Sequence, residues 1–193
     1  MKILVVGPSW VGDMMMSQSL YRTLRARYPQ AIIDVMAPAW CRPLLSRMPE
    51  VNEAIPMPLG HGALAIGERR KLGHSLRERR YDRAYVLPNS FKSALVPFFA
   101  NIPLRTGWRG EMRYGLLNDA RVLDKDAWPL MVERYVALAY DNGVMRCAKD
   151  LPQPLLWPQL QVNEGEKSQA CSAFNLSNDR PIIGFCPGAE FGP

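Results

Sequence analysis

The sequence is poor in the side chains that hold metals and redox centres. Its 193 residues include two histidines, His61 and His74, and four cysteines, Cys41, Cys147, Cys171 and Cys186. No two cysteines form a CxxC pair, and neither histidine sits in a ligand cluster, so no zinc or iron–sulfur site is expected. Long apolar runs are also missing. Ile3-Leu4-Val5-Val6 stops at Gly7-Pro8, and no stretch approaches the roughly 20 apolar residues of a membrane span. Met1-Lys2 leads straight into that short run without a secretory leader, and the expected setting is the reducing cytoplasm. Neither GxGxxG nor the Gly-Lys-Ser/Thr ending of a P-loop is present. An aromatic–basic RNA motif and a recognition-helix pattern are absent too, which argues against nucleic acid as a partner.

What is present is a core-forming composition, 48% apolar and 22% charged, with a net charge of +6. Such a balance allows nucleic acid, an anionic lipid surface or a phosphorylated ligand as partner and selects none of them. The charge is uneven: residues 1–60 carry +2, residues 61–120 carry +6 and residues 121–193 carry −2. The densest stretch runs from Glu68 to Arg83, with Arg69, Arg70, Lys71, Arg77, Arg79, Arg80 and Arg83. It reads either as a solvated helix face or as a surface facing an anionic membrane.

Hydrophobic patterning predicts strands over Lys2–Val6, Ala31–Met36, Val51–Ile55, Ala84–Leu87 and Leu104–Gly107. Helices are expected from about Asp13 to Tyr28, over Leu64–Arg80, Phe91–Phe99 and Leu130–Tyr140. Strand–loop–helix repetition implies a parallel sheet covered on both faces, a Rossmann-like α/β domain over residues 1–148. Pro152, Pro154 and Pro158 then mark 149–162 as a linker. Residues 163–193 read as the start of a second domain, with a helix over Glu164–Phe174 and a strand over Arg180–Cys186. A chain that stops on a strand–loop junction is expected to be a fragment. The rival is a last strand added to the first sheet.

In a parallel sheet, ligands bind beyond the carboxyl ends of the strands. That rule selects Gly7-Pro8-Ser9-Trp10-Val11-Gly12-Asp13 and Pro88-Asn89-Ser90-Phe91-Lys92. A helix start offers free N–H groups to an anion, yet the Asp13 carboxylate would repel a phosphate placed on it. Asp13 therefore reads as an acceptor of a proton or a hydroxyl hydrogen bond, or else as an ordinary helix cap. Asn89, Ser90 and Lys92 resemble a receptor for phosphate or carboxylate, with helix capping as the plainer reading. Arg105-Thr106-Gly107-Trp108-Arg109 supplies two guanidinium forks and an indole, or a surface turn anchored by Trp108. Trp128 and Trp157 are expected to pack the last helix and the linker.

These segments, taken in order, resemble the ADP-heptose:lipopolysaccharide heptosyltransferases of glycosyltransferase family 9. The matching residues are Lys2-Ile3-Leu4-Val5, Gly12-Asp13, Ala31–Met36, Ser90-Phe91-Lys92-Ser93-Ala94, Arg105-Thr106-Gly107 and Pro187–Pro193. Gly7–Met16 is closest to the members that add the second heptose of the inner core. The resemblance implies a two-domain GT-B enzyme, inverting and needing no metal or other cofactor. Its donor would be ADP-L-glycero-D-manno-heptose and its acceptor lipid A–Kdo–heptose, at the inner face of the Gram-negative inner membrane. It also implies Asp13 as general base, Asn89, Ser90, Lys92, Arg105 and Arg109 at the acceptor, and Ser9, Gly12, Gly188 and Ala189 near the nucleotide sugar. The family's later nucleotide-binding lysine and its Asp-Ser-Gly-x-x-His segment are absent, so these residues alone are expected to be inactive. The alternative is a non-catalytic basic module that binds anionic lipid or a phosphorylated ligand.

Overall fold

The computed structural model describes residues 1–60, 62–177 and 179–185. The chain divides into two units, Met1–Leu160 and Gln161–Pro193. The first unit is built on six parallel strands: β1 (Lys2–Val6), β2 (Ile32–Ala37), β3 (Glu53–Pro56), β4 (Arg83–Val86), β5 (Leu104–Trp108) and β6 (Asp119–Arg121). Their order is β3-β2-β1-β4-β5-β6. Val6 lies level with Met36 on one side and Val86 on the other, so the carboxyl ends of the central strands form a common edge. The strand order switches sides at β1, with β2 on one flank and β4 on the other, and this is where a Rossmann-like sheet opens a crevice.

The apolar run of β1 is continuous because both of its faces are covered. Ile3 and Val5 join one core cluster with Leu20, Leu24, Ile33, Val35 and Val136. Leu4 and Val6 join the other with Met36, Ile55, Leu76, Val86 and Val96. The helices on the first side are α1 (Val11–Arg27) and α5 (Met131–Ala137), with the short α2 (Arg42–Leu45) nearby. Those on the second are α3 (Ile66–Leu76) and α4 (Leu95–Phe99). Contact between α3 and α4 requires Gly73, since a Cβ there would lie 2.5 Å from the Phe99 Cβ and 2.8 Å from the Val96 carbonyl. All five strands expected in the first unit fall within two residues of their predicted ends, while the three-residue β6 escapes periodicity altogether.

The proline-interrupted segment lies along the first unit. Leu151 is buried. The Gln18 amide, buried in α1, donates to the Gln159 carbonyl at 2.9 Å and to Glu50 at 3.1 Å, and accepts from the Gln159 amide at 2.8 Å. Arg22 donates to the Trp157 carbonyl. Trp128 is buried as expected, but the Trp157 ring is half exposed and only its backbone is engaged. In the second unit α6 (Glu164–Ala173) is capped by Asn163, whose side chain accepts from the Gly165 amide at 2.8 Å. The strand expected over Arg180–Cys186 is not formed in 181–185, where no neighbouring strand offers a ladder; Cys186 lies outside the described residues.

Most of the basic stretch is occupied within the fold. Arg69 and Arg77 donate to backbone carbonyls, Lys71 pairs with Glu68, and Arg83 lies over the Tyr28 ring. Arg79 grips Glu53 through two bonds of 2.6 and 3.0 Å and sits 3.5 Å from the buried Asp34. That grip holds the Glu53 carboxyl below its ordinary value of 4.5. A carboxyl whose pKa is lowered by folding adds stability above its unfolded pKa and loses it as pH falls. Glu53→Gln should therefore lower Tm at neutral pH and flatten the acid limb of Tm against pH, so that variant and wild type converge in acid.

Candidate functional site

A cleft of about 570 Å³ opens at the carboxyl ends of β1 and β4. Its walls come from the loop after β1 (Pro8, Ser9, Trp10), the first turn of α1 (Asp13), the loop after β4 (Pro88 to Lys92), Glu111, and Met131 and Tyr135 of α5. A groove of about 450 Å³ lies elsewhere, against the edge strand β3. It holds none of the residues expected to carry chemistry.

Trp10 occupies the cap position of α1 with extended backbone and no side-chain cap, so Asp13 falls inside the first turn and is not the cap. Its carboxylate makes no hydrogen bond or ion pair with a described residue. The N–H groups of the first turn and the positive end of the helix dipole lie beside it. Across the cleft stands Tyr135, on α5. Burial, and then the negative charge of Asp13, push its phenol well above the ordinary value of 10.0, so it stays a neutral O–H. An unpartnered carboxylate facing a cleft is equipped to take a proton from a bound hydroxyl.

The loop after β4 is tightly tied. Phe91–Ala94 is a short 3-10 turn leading into α4. The N–H of Phe91, at the start of that turn, donates to the Glu111 carboxylate at 2.6 Å. The Glu111 amide donates to the Asn89 carbonyl at 3.1 Å. Gly110 makes this approach possible, since a Cβ there would lie 2.3 Å from the Asn89 carbonyl oxygen. Lys92 is half-buried on the cleft wall and has no ion-pair partner among the described residues.

Arg113 holds the arrangement together and was missed by sequence reasoning. Its guanidinium is fully buried. One terminal nitrogen donates to the Pro88 carbonyl at 2.6 Å and the Ser93 hydroxyl at 3.1 Å. The other donates to Asn89 Oδ1 at 3.2 Å and to the Trp108 carbonyl. Burial pulls its pKa down from 12.5 to about 10, and the planar fork suits this many acceptors where an ammonium does not. The signal in the sequence was an arginine in an irregular stretch just past a strand end, but nothing there separates it from Arg105 or Arg109.

The predicted site residues therefore divide. Asp13, Ser9, Asn89, Ser90 and Lys92 come together on the cleft. Gly12 lies next to them, with open space where a side chain would project. Arg105 needs correction: it sits near the start of β5, away from the carboxyl edge, and its guanidinium is bound to the Leu116 carbonyl at 2.6 Å and the Ile102 carbonyl at 2.5 Å. Trp108 is the anchor that the plainer reading proposed, buried with its indole N–H on the Arg134 carbonyl at 2.9 Å. Arg109 is exposed and does not line the cleft. Gly188 and Ala189 lie outside the described residues. Among the described residues no group of three or more His, Cys, Asp or Glu side chains is placed to hold a metal ion.

The model of glycosyltransferase family 9 (heptosyltransferase) matches residues 69–193. Lipopolysaccharide heptosyltransferase 2 of Salmonella typhimurium is 91% identical over the whole chain, and that of Escherichia coli is 89% identical. The chain covers 56% of each of these relatives. The solved structure of E. coli ADP-heptose lps heptosyltransferase II matches all of this chain, over 56% of its own length, at 84% identity and a TM-score of 0.90.

The Arg113 network predicts a specific loss. Arg113→Met should destabilise the fold by roughly 2–4 kcal/mol, because several buried carbonyls lose their donors at once. Urea unfolding measures the loss, and amide hydrogen exchange should show that protection at Glu111 falls before that of β1.

Proposed function

Because this chain belongs to glycosyltransferase family 9, the heptosyltransferase family, we propose that it forms the acceptor-receiving half of an enzyme of lipopolysaccharide core synthesis. The reaction moves L-glycero-D-manno-heptose from ADP-heptose to the first heptose of the inner core. One observation carries the assignment of the base: Asp13 is an acid on the cleft wall, in the first turn of a helix, with no partner for its carboxylate among the described residues.

The acceptor hydroxyl donates its hydrogen bond to Asp13. Its oxygen attacks the anomeric carbon of the donor as the bond from that carbon to the ADP phosphate oxygen breaks. The proton passes to the Asp13 carboxylate, ADP leaves with the electron pair of the broken bond, and the anomeric configuration inverts. Lys92 stands on the same wall to attract the negative groups of the acceptor, and the neutral Tyr135 hydroxyl faces the same space. The remaining length of the protein supplies most of the nucleotide-sugar site, to which Gly188 and Ala189 belong.

The acceptor is lipid-linked, so the enzyme works at the cytoplasmic face of the inner membrane. No helix among the described residues is long and apolar enough to cross a membrane. Exposed Trp10, Trp40, Leu64 and Ile66, after β1, β2 and β3, support surface contact better than the basic stretch does. Of its seven cations, only Arg70 and Arg80 are left without a side-chain hydrogen bond, ion pair or ring contact among the described residues.

The test is heptosyl transfer by a polypeptide extended to the length of its relatives. Asp13→Asn should lower kcat by roughly a hundredfold or more while leaving acceptor binding largely intact. Residues 1–193 alone should give no turnover. Near-normal turnover by Asp13→Asn would remove it as the base, and full turnover by residues 1–193 would refute the division of labour.

A further inference from the structure

Tyr21, Tyr81, Tyr85 and Tyr135 are buried in the first unit. A buried phenol O–H normally finds a partner. Tyr21 accepts from the Ser17 hydroxyl at 2.8 Å, Tyr81 donates to Asp34 at 2.6 Å, and Tyr85 lies beside the Arg83 guanidinium. Tyr135 differs. Its ring belongs to the core cluster on the side of α1 and α5. Only 5% of the residue is exposed, and it lines the cleft. Its hydroxyl makes no hydrogen bond with a described residue. That oxygen is not sealed from solvent either, since the sealed and unsatisfied side-chain atoms among the described residues are Ser19 Oγ and Arg113 Nε. The narrow exposed part of Tyr135 therefore includes its polar end.

The fold thus keeps a neutral O–H at the cleft, across from Asp13, with no described residue for it to bind. The neighbouring groups have other capacities. Asp13 and Glu111 are carboxylates and accept, and Glu111 already takes the Phe91 N–H. Lys92 donates as a full charge. The Asn89 Oδ1 is held by Arg113. Tyr135 does not serve as a second base, because burial and the charge of Asp13 keep its proton in place. Met131 lines the cleft one turn earlier on α5. The helix therefore presents an apolar wall with the phenol as its donor. Such a wall suits a sugar, whose orientation is set by a few fixed polar groups.

We propose that Tyr135 selects which hydroxyl of the acceptor sugar reacts: its O–H donates to the hydroxyl on the carbon beside the reacting one, while the reacting hydroxyl donates to Asp13. This rests on the enzyme reading above, which it deepens by naming a neutral determinant of regiochemistry. The reacting oxygen itself is the wrong target for the phenol. A donor placed on it would occupy the lone pair that must attack the anomeric carbon and would draw electron density from it. The neighbouring oxygen has no part in the attack. A carboxylate that accepts and a phenol that donates, on opposite walls, fit two adjacent hydroxyls in one orientation. Turned round, the pair would put the reacting oxygen against Tyr135 and take it away from its base.

The test is heptosyl transfer by the polypeptide extended to the length of its relatives, with two acceptors. One is the full acceptor, and in the other the hydroxyl beside the reacting one is replaced by hydrogen. Wild type should use the deoxy acceptor with a kcat/KM lower by about tenfold or more. Tyr135→Phe keeps the ring and removes only the O–H. It should lose about tenfold on the full acceptor and show no further loss on the deoxy one, so that the discrimination disappears. Its Tm should not fall, since no bond to a described residue is broken. A hydroxyl with a structural role alone would lower Tm and leave the discrimination at its wild-type value, and that result overturns the proposal. A wild type that uses both acceptors equally overturns it too. Absence of heptosyl transfer by the wild-type polypeptide refutes the enzyme reading instead, and the acceptor sugar falls with it as the ligand of Tyr135.

Discussion

A buried guanidinium with almost every donor engaged fixes the working edge of this sheet. Arg113 reaches back from the irregular stretch after β5 and binds the loop after β4 at Pro88, Asn89 and Ser93, and the end of β5 at Trp108. Loops beyond strand ends carry backbone groups that the ladder does not satisfy, so they need other partners or water. Here one side chain serves several of them. The turn that presents Lys92, the close approach of Gly110 to Asn89 and the seat of Glu111 on the Phe91 amide all belong to that knot. Of the Arg113 nitrogens, Nε alone has no partner among the described residues.

Around this fixed edge stand charges of both signs. Asp13 and Lys92 line the same cleft, and Lys92 also lines a smaller recess with Arg69. Elsewhere the cations are drawn inward. Arg79 joins Asp34 and Glu53, Arg22 pairs with Glu50, and Arg121 pairs with Asp119 at 2.7 Å. These pairs cancel acids and bases alike, so the net charge of +6 is carried by the cations outside them.

The central strands were legible because their side chains are buried on both faces and read as unbroken β-branched and aliphatic runs. Helix α1 was legible from Leu20 and Leu24 and from Pro29 beyond its end. β6 was not, since Asp119-Ala120-Arg121 carries no apolar pattern and is a strand only because β5 lies beside it. The site divides in the same way. Asp13 and the loop after β4 follow from topology, which places ligands at strand carboxyl ends. Arg105 and Arg113 are chemically identical in sequence, and their fates depend on which end of β5 each one meets. Arg69 read as one charge in a basic helix, and only packing reveals that it faces inward.

The Gln18 amide, bound to Glu50 and to both backbone groups of Gln159, gives α1 a second duty. The helix that carries Asp13 is also the post to which the outgoing chain is tied. Five residues separate the two points, about 7.5 Å along the axis. A helix hardly stretches, so the spacing between the base and the place where the chain takes leave of its first unit is set by the geometry of one turn and a half. The length of the downstream peptide has no say in it.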